Sequence, residues 1–111
     1  MSSIEKNPKQ SEVIVYSKDY CPYCDAAKNL LGQKGVVYQE IDVGVDAEQL
    51  KIMLEIAAPR RTVPQIVIAK EAVGGFDDLQ ALDQAGQLES KLFPNGRDRV
   101  PDLIFYFNRW S

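Results

Sequence analysis

Two cysteines stand three residues apart in the tetrapeptide Cys21-Pro22-Tyr23-Cys24, and the 111-residue chain has no other cysteine and no histidine. At that spacing two thiols share one face of a helix and lie close enough to join as a disulfide. A structural role fits poorly, because the loop they close is too short to constrain an unfolded chain much. A closed zinc site fits poorly too. It wants four ligands, and two thiols without histidine would have to borrow carboxylates, so no metal is expected. Beside an iron–sulfur cluster shared between two chains, what remains is thiol–disulfide exchange, in which a thiolate attacks the sulfur of a disulfide.

That chemistry needs an ionised sulfur. A free cysteine, with a pKa of about 8.5, is only about 3% thiolate at neutral pH, whereas helix N-termini and nearby cations bring the value to between roughly 3.5 and 7.5. Cys21 follows the apolar run Val13-Ile14-Val15-Tyr16 and precedes a helical pattern, with Pro22 suited to the first turn. It therefore meets outward-pointing N–H groups and the positive end of a helix dipole, which makes it the candidate nucleophile. Cys24, one turn inside, is the candidate resolving thiol. Lys18 is the nearest cation in sequence, although its bland reading is an ordinary solvated lysine.

The elements that must position these sulfurs are legible along the chain. A strand over Val13–Tyr16 leads to a helix reaching about Gln33, with Ala26, Ala27, Leu30 and Leu31 inward and Gly35 just past its end. Val36–Ile41 reads as a second strand. Asp46 caps a second helix running through Ala57, with Leu50, Ile52, Met53, Leu54 and Ile56 as its apolar positions, and Pro59 ends it. Strand–helix–strand at this spacing implies a right-handed crossover and a parallel pair. Gln65–Ala69 and Glu71–Val73, with only Lys70 between them, form an antiparallel hairpin. Gly74-Gly75 turns the chain into a third helix starting at Asp77 or Asp78, Gly86 breaks it, and a short helix follows over Gln87–Phe93. The order βαβαββα describes an α/β fold: a mixed four-stranded sheet flanked by helices.

One domain is expected, over residues 13–93, preceded by a loose polar arm over 1–12 and followed by an extension over 94–111. With 13 basic and 16 acidic residues the formal charge is −3, and no basic stripe accompanies the aromatic residues, which argues against nucleic acid. No apolar stretch approaches a membrane span and the first residues carry no apolar signal segment, so a reducing cytoplasm is the expected compartment.

Three signatures occur in order: Tyr20-Cys21-Pro22-Tyr23-Cys24, Thr62-Val63-Pro64, and Gly74-Gly75-Phe76-Asp77-Asp78-Leu79. Together they resemble the dithiol glutaredoxins, a branch of the thioredoxin-fold superfamily, over Val13 to about Phe93. The resemblance implies a thioredoxin fold and a glutathione-dependent thiol–disulfide oxidoreductase, working on disulfide-containing or glutathionylated proteins with glutathione as co-substrate; a monomer is expected. It also implies a glutathione site. Lys18 and Arg60 match positions that contact the tripeptide, Arg60 through the glycine carboxylate, which arginine holds bidentately. The Val63-Pro64 bond is cis in the family and faces the active cysteine. The exposed Val63 N–H and C=O can then pair with an extended peptide in strand fashion, with Thr62 beside them. Gly75 allows a sharp turn, donors near Phe76 and Asp77 at a helix start suit the γ-glutamyl carboxylate, and an aspartate, Asp77 or Asp78, suits its ammonium. The bland reading of both aspartates is N-capping, which is compatible with that role. Tyr23 edges the cleft. Phe76 departs from the small or polar residue common at its place, either lending apolar contact to a substrate or covering the turn.

Past Pro94 the resemblance ends. There Leu103 to Phe107 form an apolar run, and Leu103, Phe107 and Trp110 share one helical face, which suits either an extra packed element or an association surface. Two other functions compete. One is an electron donor charged by a thioredoxin-type reductase, against which the candidate glutathione contacts argue. The other is a dimeric iron–sulfur carrier using Cys21 and bound glutathione, which Pro22 disfavours by stiffening the helix start.

Overall fold

The computed structural model describes residues 10–94. The expectations for residues 95–111 lie outside the described residues, as does most of the N-terminal arm.

β1 (Val13–Ser17) is an interior strand of a four-stranded open sheet with the order β2-β1-β3-β4. It runs parallel to β2 (Gln39–Asp42) and antiparallel to β3 (Gln65–Ile68), which pairs antiparallel with β4 (Glu71–Gly74). This is the mixed sheet of the thioredoxin fold. Side chains of β1 and β3 alternate between two cores, as the two-residue period of a strand requires. On one face Val13, Val15, Ile66 and Ile68 pack with Ala27 and Leu31 of α1 (Pro22–Gln33), Leu79 of α3 (Phe76–Gln84), and Leu88 and Leu92 of α4 (Leu88–Leu92). On the other, Tyr16 and Val67 meet Met53 of α2 (Ala47–Ala57). Each fully buried aliphatic chain contributes about 1.5–3 kcal/mol.

Several boundaries differ from expectation. Strand β2 begins at Gln39 rather than Val36, because its ladder with β1 starts at the Ile14–Gln39 pair. The Val37 peptide is satisfied instead by Gln10, whose buried side-chain amide accepts from Val37 N–H at 3.0 Å and donates to its carbonyl at 2.7 Å. The segment from Gln10 is therefore anchored rather than loose, and Ser11 adds bonds to the Leu92 and Lys91 carbonyls. The hairpin turn uses two residues, Ala69 and Lys70, both at positive φ, the twist that matches two flanking strands. Helix α3 starts at Phe76, with Gly75 as its N-cap, one or two residues before the expected aspartates. On α2, Ile52 and Ile56 face solvent while Met53 and Ala57 carry the packing.

Candidate active site

The end of β1 delivers the chain through Tyr20, at φ +58°, to Cys21 at the head of α1. Cys21 is the N-cap. Its backbone is extended, and its Sγ accepts the Cys24 N–H at 3.1 Å, the bond that a serine or aspartate oxygen makes at other helix starts. Pro22 occupies the first turn as expected. The two sulfurs are joined as a disulfide, with Cα atoms 5.1 Å apart. Cys24 is 1% exposed while Cys21 is only partly covered, so Cys21 offers the accessible sulfur.

Beside this turn lies a cleft of about 290 Å³. Tyr23 edges it from α1. Arg60, Thr62, Val63 and Pro64 enter from the segment between α2 and β3, and Gly75, Phe76 and Asp77 from the start of α3. The Val63-Pro64 bond is cis, and among the described residues no hydrogen bond reaches the Val63 backbone. The first N–H groups of α3 have no partner within their own helix, and they border the same space.

Asp78 does not line the cleft but closes its rim. Its carboxylate accepts from the Arg60 guanidinium at 2.8 Å and from the Gly75 N–H at 3.0 Å. The Arg60 bond, with the Gly75 bond behind it, holds the carboxyl below the usual range against an opposing effect of burial. Gly74 sits at φ +122°, and a Cβ there would collide with the Asp78 carboxylate, so the glycine pair is what lets this cap form. Lys18, expected among the contacts, is not part of the cleft. It is exposed, and its stem runs beside Gly44 in the β2–α2 loop. Arg61 is exposed and also outside it.

Sequence reasoning missed two supports. Gln65 is 2% exposed, and its amide donates to the Thr62 carbonyl at 2.9 Å, tethering the loop that carries Val63. A polar residue opening an otherwise apolar strand was the available signal, since a buried amide must find a partner. At the same end of the sheet, buried Ser17 donates to Glu40 at 2.7 Å, and Glu40 pairs with Lys28 of α1 at 2.8 Å. The Lys28 bond, then the Ser17 bond, lowers the Glu40 pKa, while Glu40 raises that of Lys28. A larger groove of about 580 Å³ between β4, α3 and α4 holds neither cysteine and offers no nucleophile. No group of three or more metal-ligating side chains occurs among the described residues, and no helix there is long and apolar enough to cross a membrane.

A partly exposed cysteine capping a helix, disulfide-bonded to a buried partner beside a cis-proline loop on this sheet, defines a thiol–disulfide oxidoreductase of the thioredoxin fold. A glutaredoxin family model matches residues 13–73. Glutaredoxin 3 of Escherichia coli is 44% identical over 82 residues, covering 74% of this chain and 98% of that protein. The solution structure of glutaredoxin from Brucella melitensis superposes with a TM-score of 0.69 at 41% identity, covering 81% of this chain and 97% of that one. A buckwheat glutaredoxin–glutathione complex superposes with a TM-score of 0.66 at 32% identity, covering 74% and 76%. The chain belongs to the glutaredoxin family.

Proposed function

We propose that this glutaredoxin uses glutathione as its reductant, acting in a reducing cytoplasm on protein disulfides and on mixed disulfides between proteins and glutathione. The observation that carries the reading is the cleft itself. One space beside the Cys21–Cys24 turn is bordered by the unpaired Val63 backbone, the Arg60 cation and the first turn of α3. Those groups suit an extended tripeptide with a carboxylate at each end and an ammonium at one. The buckwheat relative solved with glutathione supports the same assignment.

Reduced Cys21, as thiolate, attacks the glutathione sulfur of a mixed disulfide. A Cys21–glutathione bond forms, the original bond breaks, and the protein thiolate leaves. A second glutathione thiolate then attacks the glutathione sulfur on Cys21, giving glutathione disulfide and restoring the thiolate. On a protein disulfide, Cys21 attacks first and Cys24 displaces the substrate thiolate, forming the Cys21–Cys24 disulfide as the substrate gains two electrons. Two glutathiones reverse this, the first attacking Cys21 and releasing Cys24. Removing glutathione from mixed disulfides therefore requires only Cys21.

The test is turnover of a glutathionylated peptide with glutathione and glutathione reductase. Cys24→Ser should retain activity and Cys21→Ser should lose it. Activity surviving in Cys21→Ser, or reduction driven only by a thioredoxin-type reductase, overturns the reading.

A further inference from the structure

The cleft has two unlike walls. Arg60, Thr62 and Asp77 are polar, whereas Tyr23 and Phe76 add an aromatic lining, their ring centroids 6.3 Å apart and the ring planes at 30°. Tyr23 is 63% exposed, two residues from Cys21. Phe76 is anchored, because it packs against the core cluster that includes Leu31 and Leu79. The same residue also lines a groove of about 310 Å³ between α1 and α3, so Phe76 is common to the groove and the cleft. The polar wall has the chemistry of a zwitterionic tripeptide, and two stacked rings add nothing to its charged ends. A stacked, anchored pair presents rigid apolar area at little entropic cost, the property that makes tyrosine and its like effective anchors for a partner chain.

We infer that the Tyr23–Phe76 pair is a specificity-determining surface that receives an apolar side chain flanking the reactive cysteine of a protein substrate. Resting on the glutathione-dependent reading, this places the tripeptide half of a mixed disulfide against the polar wall and the polypeptide half across the rings into the α1–α3 groove. Phe76 is then more than a cover for the turn at Gly75.

The experiment compares two glutathionylated peptides that differ only in having leucine or the near-isosteric, uncharged asparagine on both sides of the modified cysteine. The first exchange is followed in full-length Cys24→Ser protein, where no second thiol intervenes. The leucine peptide should react with a kcat/KM about tenfold higher, the scale of one apolar contact in a partly open site. Phe76→Ser and, separately, the solvent-facing Tyr23→Ser should each shrink that ratio to about twofold, and Phe76→Tyr, which keeps a ring, should restore most of it. A ratio near one in the parent protein overturns the inference while leaving glutathione dependence standing. So does a Phe76→Ser variant that slows both peptides equally. No reaction with either peptide overturns both readings.

Discussion

The Arg60 guanidinium lies 2.8 Å from the Asp78 carboxylate, joining residues 18 apart in sequence across the rim of the cleft. The contact ties the segment before cis-Pro64 to the first turn of α3. Both side chains are nearly half exposed, so the pair itself contributes little, about 0.2–1 kcal/mol. In the proposed glutathione complex, a tripeptide whose ends lie roughly 10 Å apart when extended would exchange this pair for one between Arg60 and a carboxylate and another between Asp78 and an ammonium.

Asp78→Asn should therefore raise the KM for glutathione by about fivefold to tenfold, the scale of one exposed hydrogen bond, with a smaller effect on the exchange step. Steady-state kinetics with varied glutathione checks it. Because the folded-state pKa of Asp78 is lowered, chiefly by Arg60, its stabilising contribution is complete above the free aspartate value near pH 4 and is lost as pH falls through the folded value. The stability difference between parent and variant should accordingly shrink with acid below about pH 4.

Gly74→Ala should cost about 1–3 kcal/mol. The residue would be held at φ +122° with its methyl against the Asp78 carboxylate. In a domain of this size each kcal/mol lowers the thermal midpoint by about 4–8 °C, which calorimetry resolves.

Glu40→Gln should weaken the tie between α1 and the sheet, since Glu40 accepts from both Ser17 and Lys28. The expected loss at pH 7 is about 0.5–1 kcal/mol, discounted for the exposure of the pair. The folded-state pKa of Glu40 is lowered, so this contribution too is present above the free glutamate value and disappears as acid titrates the carboxyl. Urea unfolding of parent and variant at pH 7 and pH 3 should show a smaller difference at the lower pH.

Gln65→Leu removes the donor to the Thr62 carbonyl from a site that is 2% exposed. The loop bearing Val63 should loosen, raising the KM for glutathione severalfold. Kinetics of the variant over a range of glutathione concentrations measure the change. A variant with unchanged KM would show that the loop is held without this tether.

Most of the architecture could be read in one dimension because it rests on local rules. The apolar run before Cys21, Pro22 in the first turn, Asp46 as a cap and Gly35 past a helix end identify their elements through near neighbours alone. The misplaced boundaries have non-local causes. Val37 looks like strand, yet its partner is a glutamine 27 residues earlier. Ile52 and Ile56 look like core, yet the sheet reaches only the other face of their helix. Lys18 is close to Cys21 in sequence, but its side chain departs toward Gly44.

By itself the order of residues determined a dithiol at a strand–helix junction and the three motifs that had to converge on it, since spacing and periodicity are properties of a chain before it folds. Only the folded sheet, with β1 between β2 and β3, decided that Arg60 meets Asp78, that Phe76 stacks on Tyr23, and that Gln65 tethers Thr62. The first two contacts join segments that strand pairing brings together from distant parts of the chain. In the third, burial of the strand start turns a local amide toward the Thr62 carbonyl three residues earlier.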